Sequence, residues 1–321
     1  MSDLLNTNDT DFEFDPDAVD SIDQSSLEGR GPSYPLIQWV KGDLKAKKFG
    51  GMDYQGGLFI KASKVEGIAM EAAGWTKTTR TFENGTEEEG FWRREAAMII
   101  IAERKCWEGG SNGDLKSFPH NSKGWEAAKA ANGGKKARGH AQYLVLVKGL
   151  ESAGLFSLTM KGAALAAFDS SRSDSVVSRF VATILSAANA RSVASAKAKG
   201  KEPKYWAYRG FYLPFGAARD AKGEPVYTAV GTAPDTTNVV LPVALGLPDK
   251  ADQVDTKTLG RFYVGDDMLK HANLLFDESV DWRAAWGNGK PSGAVEGGDA
   301  AAVEERAAKD AEDAVLAATG L

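Results

Sequence analysis

The chain has 321 residues, 43% of them hydrophobic, enough to bury one large core or two smaller ones. Its formal net charge of −5 hides a segregation: residues 1–29 hold nine Asp or Glu and no Lys or Arg, residues 30–209 hold 29 Lys and Arg against 17 Asp and Glu, and residues 291–321 hold two against seven. No run approaches the roughly 18 to 20 apolar residues of a membrane span, one cysteine excludes an internal disulfide or a Cys-based zinc cluster, and three scattered histidines exclude metal chemistry built on His pairs. The acidic start is unlike a signal peptide, so the expected location is cytoplasmic. A basic body with acidic ends requires a polyanionic partner or an internal substitute for one, and nucleic acid comes first.

Residues 1–33 are polar, rich in Asp, Ser and Asn, and end Glu28-Gly29-Arg30-Gly31-Pro32, which predicts a disordered acidic arm. Leu36–Val40 reads as a strand, followed by a basic turn over 41–48, glycine pairs at 50–51 and 56–57, and a second strand at 58–60. Ser63 with Glu66 matches a capping box and predicts a helix running to Ala73 and stopped by Gly74. Residues 82–87 read as a hairpin turn or mobile loop, 96–102 as a buried strand, 108–121 as loop, Ser122–Ala131 as a short helix and 132–139 as a flexible basic loop. Two strands at 141–148 and 155–161 form a hairpin.

From Asp174, the residues Val176, Val177, Phe180, Val181, Ile184 and Leu185 make a helical stripe that extends to about Ala194. Strand character returns at 211–215, 226–230, 239–245 and 259–264, a last helix covers 266–276, and residues 281–286 seal an edge. A linker from Gly287 leads to an acidic tail, where a solitary helix over 300–318 would be marginal in water. The layout is therefore an acidic arm (1–33), a single β-rich α+β body (34–286), and a linker with acidic tail (287–321). A small Greek-key barrel with inserted helices fits the body.

Aromatic and cationic residues recur together in the basic region. One cluster holds Trp39, Lys41, Lys47, Lys48, Phe49 and Tyr54, another Trp75, Lys77 and Arg80, a third Phe91, Trp92, Arg93 and Arg94, and a fourth Arg104, Lys105 and Trp107. The densest is Lys204, Tyr205, Trp206, Tyr208 and Arg209, continuing into Phe211 and Tyr212. Unpaired nucleic acid requires this mixture, because cations follow the phosphates while ring faces stack on bases at roughly 1 to 3 kcal/mol each. The plain alternative is aromatics in the core and cations in solvent. Strand alternation puts Tyr205, Ala207 and Arg209 on one face and Trp206 and Tyr208 on the other. The glycine-flanked loop with Lys135, Lys136 and Arg138 offers amides and cations to a phosphate but lacks the spacing of a Walker loop.

No catalytic constellation emerges. Asp266, Asp267, Asp277, Glu278 and Asp281 are conceivable magnesium ligands, with helix capping and solvent exposure as the plainer reading. Ser157, Thr159 and Lys161 share one strand face without an oxyanion site, and Cys106 reads as a lone buried thiol.

The strand and basic turn over 36–41, the hairpin over 141–161, the aromatic-basic run at 204–212 and the tail from Glu296 together resemble the single-stranded DNA-binding proteins of phages and other mobile elements. The resemblance implies an OB-like barrel with inserted helices, and a non-catalytic, cofactor-free role in replication, recombination or repair. It further implies single-stranded DNA as partner, with replication or recombination proteins reached through the acidic tail, and is compatible with a homo-oligomer. The rivals are a magnesium-dependent nucleic-acid-processing enzyme around 266–281 and a structural or interaction protein of a phage or mobile element.

Overall fold

A computed structural model describes residues 34–49, 52–81, 87–110, 116–134, 137–170, 172–231 and 236–284, without the side chains of 48, 49 and 81. The acidic arm, the linker and tail, and the loop lysines Lys135 and Lys136 lie outside the described residues.

The fold is mixed α+β around one ten-stranded sheet. β1 (Leu36–Val40) pairs antiparallel with β2 (Gly57–Lys61) and parallel with β8 (Phe156–Lys161). β2 continues to β4 (Glu87–Arg93) and β4 to β3 (Thr76–Thr81), the hairpin expected around 82–87. On the other side β8 pairs with β7 (Arg138–Val147), and β7 with the long β5 (Glu95–Gly109). β5 also carries β6 (Lys116–Pro119) and β9 (Leu213–Ala217), which pairs with β12 (Pro242–Ala244). A separate ribbon joins β10 (Tyr227–Val230) to β11 (Thr237–Val240).

The expected closed Greek-key barrel is not formed. The hydrogen-bonded path is open, from β12 to β3, and from β5 through β7 and β8 it visits neighbours in chain order, with no Greek-key crossing. β4 and β5 nevertheless form one strand interrupted only at Arg94, so a single stretch of chain serves both ends of the path β7-β8-β1-β2.

The central strands are apolar on both sides because both faces are covered. Met98 and Ile100 of β5, with Tyr143, Val145 and Val147 of β7, face the main core, and Ile99, Ile101, Leu144 and Leu146 face a second cluster sealed by Ala272 and Trp282. A bulge at Ile101 keeps this alternation in register with β7. The main core is closed by α3 (Gly162–Phe168) and by a long helix that starts at α4 (Val176–Phe180), passes through a π turn (Val181–Leu185) and continues as α5 (Ser186–Ala198). Ser175 caps its start by accepting from the Ser178 amide.

Two expected elements take another form. The helix over 63–73 is replaced by a 3-10 turn at Ala62–Lys64 and further turns, because Gly67 takes φ +80° in its middle. Only the glycine stop survives: Gly74 has φ +82° and the Trp75 amide reaches back to the Met70 carbonyl. The strand over 259–264 is instead helix α6 (Thr256–Phe262), whose start is fixed by Asp255 accepting from the Thr258 amide at 2.6 Å. It is followed by α7 (Asp266–Glu278) and α8 (Val280–Ala284), which buries Trp282.

The helix α2 (Ser122–Ala131) docks on the tips of β5 and β6 through two glycines. A Cβ on Gly109 would lie 2.1 Å from the Ala128 carbonyl oxygen, and one on Gly124 1.8 Å from that of Pro119. Gly109→Ala is expected to lift α2 and cost about 1–3 kcal/mol. Urea unfolding followed by tryptophan fluorescence reads this directly, since Trp107 and Trp125 pack edge-on at 4.8 Å across the contact.

Candidate nucleic-acid interface

The predicted site residues divide into three groups. Trp39 and Trp75 are core residues, 7% and 2% exposed, and present no ring to a ligand. That corrects the expectation for Trp39: β1 is internal in the sheet, so alternation alone turns its indole inward, 6.3 Å from Phe215. Trp92 is half-buried against Val40, Met52 and Phe59 and donates to the Gly56 carbonyl, and Arg93 donates to the Ala73 carbonyl at 2.7 Å. Burial lowers the Arg93 pKa, so this cation is a strut. Arg209 likewise donates to Asn273 and lies 4.3 Å over the Phe276 ring.

A second group lies on other elements, away from the cleft lining. Lys47 and Arg94 are exposed, Tyr54 and Arg138 half-buried, and the Lys41 ammonium is buried. The Tyr54 carbonyl accepts from the Tyr227 hydroxyl. Lys48 has no described side chain.

The third group is the segment from Lys201 to Tyr208. It is not a strand: residues 201–207 run unpaired and Tyr208–Gly210 is a 3-10 turn, so the alternation expected for 205–209 does not apply. α5 holds the segment in place instead. Asn189 accepts from the Trp206 amide at 2.6 Å, and Ser192 donates to the Lys204 carbonyl. Trp206 is thereby turned inward over Gly210, with its ring 5.5 Å from Phe211 and 5.6 Å, edge-on, from Tyr263. Tyr205, next to it, points out and is 71% exposed.

Between α5, this segment and α6 lies a cleft of about 650 Å³. Trp206, Phe211 and Tyr263 give it an aromatic floor, and exposed Lys201 and Lys204 stand on its rim. Arg191 also lines it, but its guanidinium is spent on the Ala187 and Val254 carbonyls and ties α5 to the chain entering α6. Glu202 is the acidic residue among the lining groups. Tyr208 leaves the cleft and stacks 6.4 Å from Phe180, its phenol pKa raised by burial. The sequence reading missed Tyr263 and α6 because residues of helix α6 look strand-like in isolation; the overlooked signal was Asp255 as a cap.

The carboxylates considered for magnesium do not gather. Asp266 and Asp267 begin α7, Asp266 accepting from the Tyr263 hydroxyl, and no group of three metal-ligating side chains occurs among the described residues. Ser157 is buried, and Lys161 pairs with Glu108 at 3.4 Å. Cys106 is buried, and burial pushes its thiol up to about 12, so it is no nucleophile at neutral pH. Among the described residues no helix is long and apolar enough to cross a membrane.

No family model matches the chain, and no curated protein and no solved structure matches it.

Proposed function

We propose that the protein binds single-stranded DNA with little sequence preference, as a non-catalytic, cofactor-free component of replication, recombination or repair. The observation that carries this reading is the exposed Tyr205 ring beside a lysine-rimmed cleft with an aromatic floor. A phosphodiester backbone following Lys201 and Lys204 would bring its bases against Tyr205 and the part of Trp206 that lines the cleft, the mixture of cations and rings that sequence-tolerant single-strand binders use. In this reading the curled path from β5 round to β4 plays the part of an OB-like centre, with its strands in meander order. Replication or recombination proteins and a second copy of the chain belong to the same proposal as partners, and the cytoplasm as its setting.

Titration of the protein with labelled oligo-dT and with duplex, at two salt concentrations, tests it. The single strand is expected to bind more tightly and its affinity to fall steeply with salt. Replacing Lys201 and Lys204 with Gln should reduce the log–log salt slope by about 1.4, the value for two phosphates on a single strand. Tyr205→Ala should weaken binding about tenfold at any salt. A salt-insensitive or absent interaction overturns the proposal.

A further inference from the structure

We infer that the single strand proposed above leaves the cleft past Lys105 and stacks a second set of bases on the outer face of His120, at the tip of β5 and α2. This rests on the single-strand reading and names a further part of its binding surface.

The tip carries a built stack of rings. Trp107 of β5 lies against His120 at 4.5 Å with ring planes only 19° apart, while Trp125 of α2 packs edge-on to Trp107 at 4.8 Å. His120 is exposed, so one of its faces is covered by Trp107 and the other is left to solvent. A planar ring extending an existing stack in this way is what an unpaired base continues. The imidazole pKa is lowered by desolvation where the ring packs into the stack and by nearby Lys105, so at neutral pH the ring is uncharged and a base meets it as one π face meets another.

The position and the cleft share a strand. The Tyr208–Gly210 turn that ends the cleft segment packs against β5, which carries Lys105 and Trp107. Lys105 itself is held by Asp169 at 2.9 Å and by Glu103 at 3.6 Å, two residues before Trp107 on that strand. Beyond it the exposed Lys123, three residues after His120 in the first turn of α2, has the sign a phosphate backbone requires. A protein or membrane partner has no need of a flat ring ending a stack next to a lysine, whereas an unpaired strand uses both.

The two surfaces are separated by oligonucleotide length. Against an oligo-dT of about 20 nucleotides, His120→Ala is expected to weaken binding about tenfold, and Lys123→Gln about threefold, with a smaller salt slope. Against one of about 5 nucleotides, too short to span both surfaces, each variant should bind as the parent does. Both side chains are exposed, and an unchanged thermal midpoint confirms that the fold is intact. Parental affinity of both variants for the long strand, while Tyr205→Ala still weakens it, overturns this inference and leaves the single-strand reading standing. Absence of any single-strand binding by the parent at low salt overturns both.

Discussion

Replacing Glu108 with alanine is expected to remove about 3 kcal/mol of folding stability, a larger loss than any surface substitution here should cause. Glu108 is 1% exposed and sits in β5, where it accepts the Nδ1 hydrogen of His140 in β7 and pairs with Lys161 of β8 at 3.4 Å. Three neighbouring strands are thus joined through one carboxylate. Burial alone would raise its pKa, but His140, Lys161 and Arg138 together hold it well below the usual carboxylate range. Alanine would leave the His140 N–H and the Lys161 ammonium facing a small void, whereas Glu108→Gln keeps an acceptor and should cost less. Urea unfolding at pH 7 measures the difference.

The same cluster sets a pH dependence. Burial, opposed by Glu108, lowers the His140 pKa from 6.5 to about 4, so the folded protein keeps a neutral imidazole that the unfolded chain would protonate. Unfolding therefore takes up a proton in that window, and stability falls by about 3 kcal/mol as the pH drops from 6.5 through 4. The depressed Glu108 carboxyl extends the loss below the ordinary carboxylate range. A His140→Gln variant should show a flatter stability curve between those two values; an equally steep one would place the titrating group elsewhere.

Phe168→Ala is expected to cost a further about 3–5 kcal/mol, the range for emptying a phenyl site in a tight core. Phe168 ends α3 with no exposed surface and joins Tyr143 (5.2 Å) to Phe215 (4.9 Å), both edge-on, and Phe215 continues to Trp39. The hole cannot easily close. Tyr143 is pinned by its hydroxyl donating to Asp169 at 2.7 Å, and Asp169 is in turn paired with Lys105. Phe168→Leu fills most of the volume and should recover over half of the loss. A cost for alanine below 1 kcal/mol in urea unfolding would mean that the core relaxes into the space.

What could be read from the sequence depended on how local the physics was. The strands at Leu36–Val40, 96–102 and the hairpin over 141–161 were legible because long apolar or alternating runs leave few options; Ser122–Ala131 is the short helix expected, and the structure adds its cap, Asn121. The stripe from Val176 was legible for the same reason. The helix over 63–73 was misread because a capping box says nothing about a glycine four residues on with positive φ, and 259–264 because Phe262, Tyr263 and Val264 suit strands in isolation.

Of the candidate site, the density of rings and cations at 204–209 was visible, but not which ring faces out. That is settled by Asn189 and Ser192 gripping the segment from α5, and by Tyr263 arriving from a distant helix, neither of which leaves a local mark. The buried cluster on Glu108 escaped notice because its members lie on three strands whose adjacency the sequence does not state.

The π turn at Val181–Leu185 has a consequence for how α5 meets its neighbours. A wide turn holds one more residue than a regular one, so it acts as a phase shifter between the two ends of the helix, rotating everything downstream by roughly 100° relative to an uninterrupted α-helix. Asn189 and Ser192 owe their azimuth to that single residue. A homologous helix one residue shorter here would keep its hydrophobic stripe on the sheet up to Phe180 and yet aim both polar grips away from the 204–206 segment.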